Sequence, residues 1–160
     1  MIVVSLVLAA LVAGAAAYSV LAVIAARRYL SAERATEGPL VPVSVLKPLA
    51  GAEDELEENL RSFFEQDYPE FELIFAVRER SDPACRVVER LQAIYPDVRS
   101  RLLVTGEPPY PNAKVFSLAC MARAARYDLL VMSDSDIRAR PDMLRSIASE
   151  FGNPRLGMLT

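Results

Sequence analysis

Tyr127-Asp128-Leu129-Leu130-Val131-Met132-Ser133-Asp134-Ser135-Asp136 runs from an apolar segment directly into two acids. A short apolar run that ends on turn residues predicts a buried strand. Open α/β sheets bind ligands in the crevice beyond the C-terminal strand ends, and Asp134 and Asp136 stand at that position. Carboxylates two residues apart can share a hard divalent cation, Mg2+ or Mn2+, and that cation can hold a diphosphate. Asp is also a common turn residue, so the spacing alone leaves a plain polar turn open.

The preceding segments alternate in the same manner. Val43 to Leu46 predicts a first strand, Phe71 to Val77 a second and Leu102 to Val104 a third. Between them, apolar residues recur at helical spacing. Leu56, Leu60, Phe63 and Phe64 form one face, Val87, Val88, Leu91 and Ile94 the next, and Val115, Leu118, Ala119 and Ala122 a third. Beyond the acids, Leu144, Ile147, Ala148 and Phe151 predict a last helix, and Leu156 to Thr160 the beginning of a fifth strand. That final strand stops inside its own apolar run, as in an incomplete domain. Strands alternating with amphipathic helices predict an α/β domain with a mainly parallel sheet covered on both faces.

Three further segments fall on the same predicted edge of the sheet. Lys47-Pro48-Leu49 closes the first strand. Asp82 follows the second, before Pro83, where it reads equally as a helix cap and as a carboxylate facing a nucleotide. Asn112-Ala113-Lys114 opens a helix after the rigid Pro108-Pro109-Tyr110-Pro111 loop. Asn112 suits an N-cap. A lysine near a helix N-terminus works against the helix dipole, and a bound phosphate would relieve that conflict. The convergence of these sites favours a functional edge over separate turns.

Ile2 to Ala26 carries no charge. At ~1.5 Å per residue it reaches roughly 37 Å, enough to cross a bilayer core with some tilt. Arg27, Arg28 and Arg34 follow, and no lysine or arginine precedes. The segment lacks the basic n-region of a signal peptide and exceeds a usual h-region. It predicts a single-pass anchor with the C-terminal part in the cytoplasm. Glu37-Gly38-Pro39-Leu40-Val41-Pro42 reads as a linker.

Composition narrows the chemistry further. The chain has no histidine, which removes His-based acid–base catalysis, Ser-His-Asp and Cys-His arrangements, and histidine metal sites. A net charge of −3 without a basic stripe speaks against nucleic-acid binding. Cys85 and Cys120 lie far apart in no CxxC pair and read as reduced thiols.

Val43-Ser44-Val45-Leu46-Lys47-Pro48-Leu49, Asn59-Leu60 through Phe63-Phe64 and Gln66-Asp67-Tyr68-Pro69 together resemble the ceramide glucosyltransferase family. So do Ser81-Asp82-Pro83-Ala84, Asn112-Ala113-Lys114, and Tyr127-Asp128-Leu129 leading into Asp134-Ser135-Asp136-Ile137-Arg138. The resemblance covers about residues 41 to 160 and is strongest to a bacterial branch linked to hopanoid lipid synthesis. It implies a GT-A fold, Rossmann-like, that takes a UDP-sugar and glycosylates a membrane lipid with inversion. Asp82 resembles the family's first aspartate, near the uridine, and Asp134 the second, at the metal and diphosphate. Asp136 falls where the eukaryotic enzymes have glycine. Lys114 matches the lysine of an Asn-Pro-Lys segment, with Ala113 in place of proline. The family continues with a third aspartate as base, a Gln-x-x-Arg-Trp motif and further membrane segments. None of these occurs here, and the chain has no tryptophan.

The resulting expectation is an anchor over residues 1–28, a linker over 29–42 and an incomplete GT-A donor-binding domain over 43–160. Lys47, Asp82, Lys114, Asp134 and Asp136 would hold a UDP-sugar, with the metal on Asp134 and Asp136 and the general base beyond residue 160. The expected place is the inner membrane. The alternatives are a non-catalytic nucleotide-sugar-binding module, an inert fragment, or a nucleotidyltransferase. The last shares the fold and the acids, but a membrane anchor argues against it.

Overall fold

The uncharged N-terminal run forms α1 (Ile2–Ser31). Within it Ile2–Tyr29 is long and apolar enough to cross a membrane, by length and composition. Its large side chains, from Ile2 through Leu11 and Leu21 to Tyr29, are exposed along the whole length. A helix apolar on every side has no core-facing stripe, which is the pattern of a membrane segment rather than of an amphipathic surface helix. This computed structural model describes residues 2–31, 40–52, 54–152 and 155–159. Arg34 and Glu37-Gly38-Pro39 of the expected linker lie outside the described residues. The chain divides into two compact units, residues 1–34 and 35–160.

The second unit alternates strand and helix: β1 (Val43–Pro48), α2 (Leu56–Phe64), β2 (Phe71–Val77), α3 (Ala84–Ile94), β3 (Ser100–Val104), α4 (Ala113–Ala124), β4 (Leu129–Met132) and α5 (Met143–Glu150). All pairings are parallel, and the strand order is β3-β2-β1-β4. The chain therefore moves outward from β1 to β3 and then crosses back to place β4 on the other side of β1. Leu46 pairs with Met132, so the C-terminal ends of β1 and β4 lie side by side. That reversal of strand order is where α/β sheets open a crevice for a ligand.

Pleating sends alternate strand residues to opposite faces. Val43, Val45, Leu73, Phe75, Val77 and Val131 meet α2, α3 and α5 in one large core with Leu60, Phe63, Val88, Leu91 and Leu144. Leu46, Ile74 and Ala76 meet α4 on the other face through Met121 and Leu118. The expected faces of α2 and α5 turn inward, and so do Val88 and Leu91 of the expected α3 face, but Ile94 at the end of α3 is exposed, where the helix runs past the core. The expected face of α4 is not: Val115 and Ala122 are exposed, and Met121 carries the contact. α4 is apolar nearly all round, so periodicity could not select a face.

Leu156–Leu159 forms no strand, contrary to the expectation of a fifth. A strand exists only where a neighbour supplies N–H and C=O partners. Apolarity made the segment look like one, but Met158 and Leu159 are exposed.

At the N-terminal edge of the sheet Glu72 is buried and bound on all sides. Its carboxylate accepts from Ser44 Oγ at 2.7 Å, Arg126 N at 2.6 Å and Arg101 Nη2 at 2.7 Å. Burial alone would raise its pKa; these hydrogen bonds outweigh that and hold it below the usual value. The cluster ties β1, β2, β3 and the entry to β4 together, away from the opposite, acidic edge.

Candidate functional site

The exit of β4 is held before any functional side chain is considered. Ser133 N donates to Leu46 O at 3.1 Å, continuing the ladder one residue past the strand. Further along, Ala139 N donates to Ser62 Oγ at 2.9 Å, and Gln66 Nε2 donates to Arg140 O at 2.8 Å. Leu144 N donates to Gln66 Oε1 at 3.1 Å. The end of α2 thus fastens the segment that follows Asp136. Asp134 and Asp136 are carried on a turn between these fixed points, and both are exposed.

Lys114, one residue into α4, extends to the same turn. Its Nζ lies 2.6 Å from Asp134 Oδ1, with 56% of the lysine side chain and 58% of the aspartate exposed. The expected N-cap is present: Asn112 Oδ1 accepts from Val115 N at 3.1 Å. So the helix start that presents Lys114 is fixed, while the ion pair itself is open to water. An exposed pair of this kind contributes about 1 kcal/mol at most.

Asp82 serves two elements. Its carboxylate accepts from Gly51 N at 3.0 and 3.1 Å, and Oδ1 accepts from Ala84 N at 2.9 Å. The second bond caps α3. The first holds the loop after β1, where Gly51 has φ of +73°, a conformation that favours glycine. Asp82 therefore lies at the same edge as Asp134, half-buried, with its oxygens already engaged.

Lys47 is at this edge in the chain but not on its surface. It is fully buried. Its Nζ donates to Asp134 O at 2.6 Å and to Ser133 Oγ at 3.2 Å, and lies 3.7 Å from the centroid of the Phe63 ring. Burial pushes the ammonium down to about 7, against the opposing pull of Asp134 and Asp136. In this structure Lys47 offers no surface to a ligand; it sits beneath the acidic turn.

Between the loop after β1 and the acidic turn lies a cleft of about 290 Å³, lined by Gly51, Asp54, Glu55, Asn59, Ser135 and Asp136 among others. Carboxylates and an amide are acceptors and donors for hydroxyl groups. They are poor partners for a bare phosphate. Among the described residues no three His, Cys, Asp or Glu side chains are grouped to enclose a metal. Two exposed carboxylates fit a Mg2+- or Mn2+-type site whose remaining ligands are water and substrate phosphates.

Residues 5–160 match the model of glycosyl transferase family 21. The chain belongs to that family. Among relatives of this family 21 chain, ceramide glucosyltransferase 1 of Caenorhabditis elegans is 41% identical over 112 residues, covering 69% of this chain and 24% of the relative. The ceramide glucosyltransferase of Komagataella phaffii is 39% identical over 99 residues, covering 59% and 19%. The chain thus spans about a quarter of the length of the curated relatives it matches. Among solved structures, the mannosyltransferase PcManGT of Pyrobaculum calidifontis, in complex with GDP-Man and Mn2+, superposes with a TM-score of 0.67 at 25% identity, covering 86% of this chain and 41% of that one. Staphylococcus aureus TarS 1–349 in complex with UDP-GlcNAc superposes with a TM-score of 0.53 at 22% identity, covering 68% and 30%. The parallel sheet of the family 21 chain is of the GT-A type.

Sequence reasoning placed Lys47, Asp82, Lys114, Asp134 and Asp136 on one edge, and the structure brings all five there. It missed Phe63, Ser133, Gly51 and Gln66, which hold the others. Gly51 had a signal, a glycine just past a strand end. Phe63 had none, because its spacing marks it only as core.

Proposed function

We propose that this chain is the donor-binding part of a membrane-bound glycosyltransferase. It moves a sugar from a UDP-sugar to a lipid hydroxyl, such as that of ceramide or a hopanoid. The observation that carries the reading is the meeting of Lys114, Asp134 and Asp136 at the reversal between β1 and β4, beside an acid-lined cleft. The GDP-Man and Mn2+ of the mannosyltransferase complex support a metal-dependent donor on this fold.

Asp134 and Asp136 would hold Mg2+ or Mn2+, which supplies Lewis-acid neutralisation of the departing diphosphate. Lys114 occupies the metal's electrostatic place in the free protein, and its exposed pair with Asp134 costs little to exchange. Once released it stands at a helix N-terminus, ready for a phosphate oxygen. Asp82 shapes the nucleotide side of the cleft by holding Gly51. Asp54 and Glu55 offer acceptors for ribose or sugar hydroxyls. These residues bind and orient the donor; the base for the acceptor hydroxyl is expected outside them. α1 anchors the chain in the inner membrane, with the second unit cytoplasmic.

Calorimetry of UDP binding to the full chain in detergent, with and without Mn2+, tests this reading. Two carboxylates and a diphosphate repel until a cation lies between them. Binding should therefore need metal and nucleotide together. Asp134→Asn should lower affinity at least tenfold. Asp136→Asn should lower it less, because the resemblance tolerates glycine at that position. Metal-independent binding, unchanged in Asp134→Asn, would reduce the acidic pair to a turn. A panel of UDP-sugars then names the sugar. If the donor binds but no lipid is ever glycosylated, the chain is a nucleotide-sugar-binding module.

A further inference from the structure

Lys47 is a charged side chain where a methionine would fill the same volume without desolvating an ammonium. Burying a charge is costly unless each of its donors is matched. Here they are matched. The ammonium's three donors meet Asp134 O at 2.6 Å, Ser133 Oγ at 3.2 Å and the face of Phe63, 3.7 Å from the ring centroid. Two of these partners lie in the turn that carries Asp134 and Asp136. Replacing a buried charged group by an apolar one of similar size is often neutral or stabilising. Stability therefore does not account for the lysine. What it does account for is the fixed direction of one carbonyl in an otherwise exposed acidic turn.

We propose that Lys47 is a positioning residue for the donor metal: it clamps the Ser133 hydroxyl and the Asp134 main-chain carbonyl from below, so that the Asp134 and Asp136 carboxylates keep the spacing a shared cation needs. The inference rests on the donor-site reading of those two acids. It assigns Lys47 no contact with substrate. Phe63 takes part as the apolar floor that seats the ammonium. Ser133 takes part as the hydroxyl that relays the clamp into the turn. Octahedral Mg2+-type sites demand near-ideal ligand geometry. A loosened turn should therefore lose metal-dependent binding before it loses structure.

The test uses the full chain in detergent as wild type, Lys47→Met, Ser133→Ala and Asp134→Asn. The readouts are the thermal midpoint, UDP affinity with and without Mn2+, and Mn2+ binding in the presence of UDP followed by electron paramagnetic resonance. Lys47→Met should keep or raise the midpoint, and its Mn2+-dependent UDP affinity should fall at least tenfold. Its metal-free UDP binding should not change. Ser133→Ala should lose about threefold at an unchanged midpoint. A purely structural lysine gives the reverse: a lower midpoint with wild-type affinity in the folded fraction. That result overturns the inference. If Lys47→Met fails to fold, Ser133→Ala decides, and unchanged Mn2+–UDP affinity there also overturns it. Wild type that shows no metal-dependent UDP binding brings down the donor-site reading, and this inference with it.

Discussion

Lys47 shows how one residue can serve a site at a cost to the fold, and the cost itself is measurable. Burial holds its ammonium near 7, against an ordinary 10.5. Below pH 7 the lysine is charged in both the folded and the unfolded chain, and the fold carries the desolvation in full. Between about 7 and 10.5 the unfolded chain binds a proton that the folded chain does not, so stability rises with pH across that window. Lys47→Met removes this titration. The variant should be more stable than the parent below pH 7, by about 1 kcal/mol or more. Its advantage should shrink steadily as the pH climbs toward 10.5. Urea midpoints at a series of pH values measure the gap. A gap that stays constant with pH would mean that the ammonium is not desolvated. None of this was legible in the sequence. A lysine at a strand end reads as solvent-exposed, and the partners that bury it, Ser133 and Asp134, lie more than eighty residues away.

At the scale of elements, the strand–helix alternation was plain in the apolar spacing, because each element buries one stripe against a single sheet. β1, β2 and β4 form where the apolar runs lie. β3 starts earlier than its apolar part, at Ser100, because the backbone register with β2 already pairs Ser100 with Leu73 and Arg101 with Ile74, and the Arg101 guanidinium donates to Glu72. A period count cannot see that partner. It equally cannot see how α2 governs the acidic turn. Gln66 lies beyond the last residue of α2 and looks like a polar end to a helix. In the structure it is buried, and its amide joins Ser62 O, Arg140 O and Leu144 N. It thereby fixes both the segment after Asp136 and the first turn of α5. Gln66→Ala would leave the buried Leu144 N–H and two carbonyls without these partners. The expected loss is about 2 kcal/mol in urea unfolding, given the cost of an unpaired buried donor. Amide exchange should speed up over residues 139–146 and remain slow in β1 and β2. Uniform acceleration across the sheet would show that Gln66 supports the whole core rather than the turn.

For the whole molecule the proposed anchor raises the question of which side of the membrane the GT-A unit would occupy. The donor proposed here is a nucleotide-sugar, and a nucleotide diphosphate is a solute of the cytoplasm. The sequence answers through charge. Arg27 and Arg28 follow the uncharged run at once, and no lysine or arginine occurs in the 25 residues from Ile2 to Ala26. Basic residues close to a membrane segment stay on the cytoplasmic side, and acidic ones count little. The net charge of −3 therefore does not weaken the rule. α1 supplies the length, 28 residues from Ile2 to Tyr29. Both observations predict that residues 40–160 face the cytoplasm. Protease added to right-side-out vesicles should leave that unit intact, and the same protease added to inverted vesicles should remove it. Carbonate washing should leave the chain in the membrane fraction. Adding Lys residues ahead of Ile2 while replacing Arg27 and Arg28 by Gln should reverse a share of the molecules, visible as digestion from outside. Digestion of the unaltered chain from outside would contradict the orientation, and it would separate the donor site from the compartment that holds its donor.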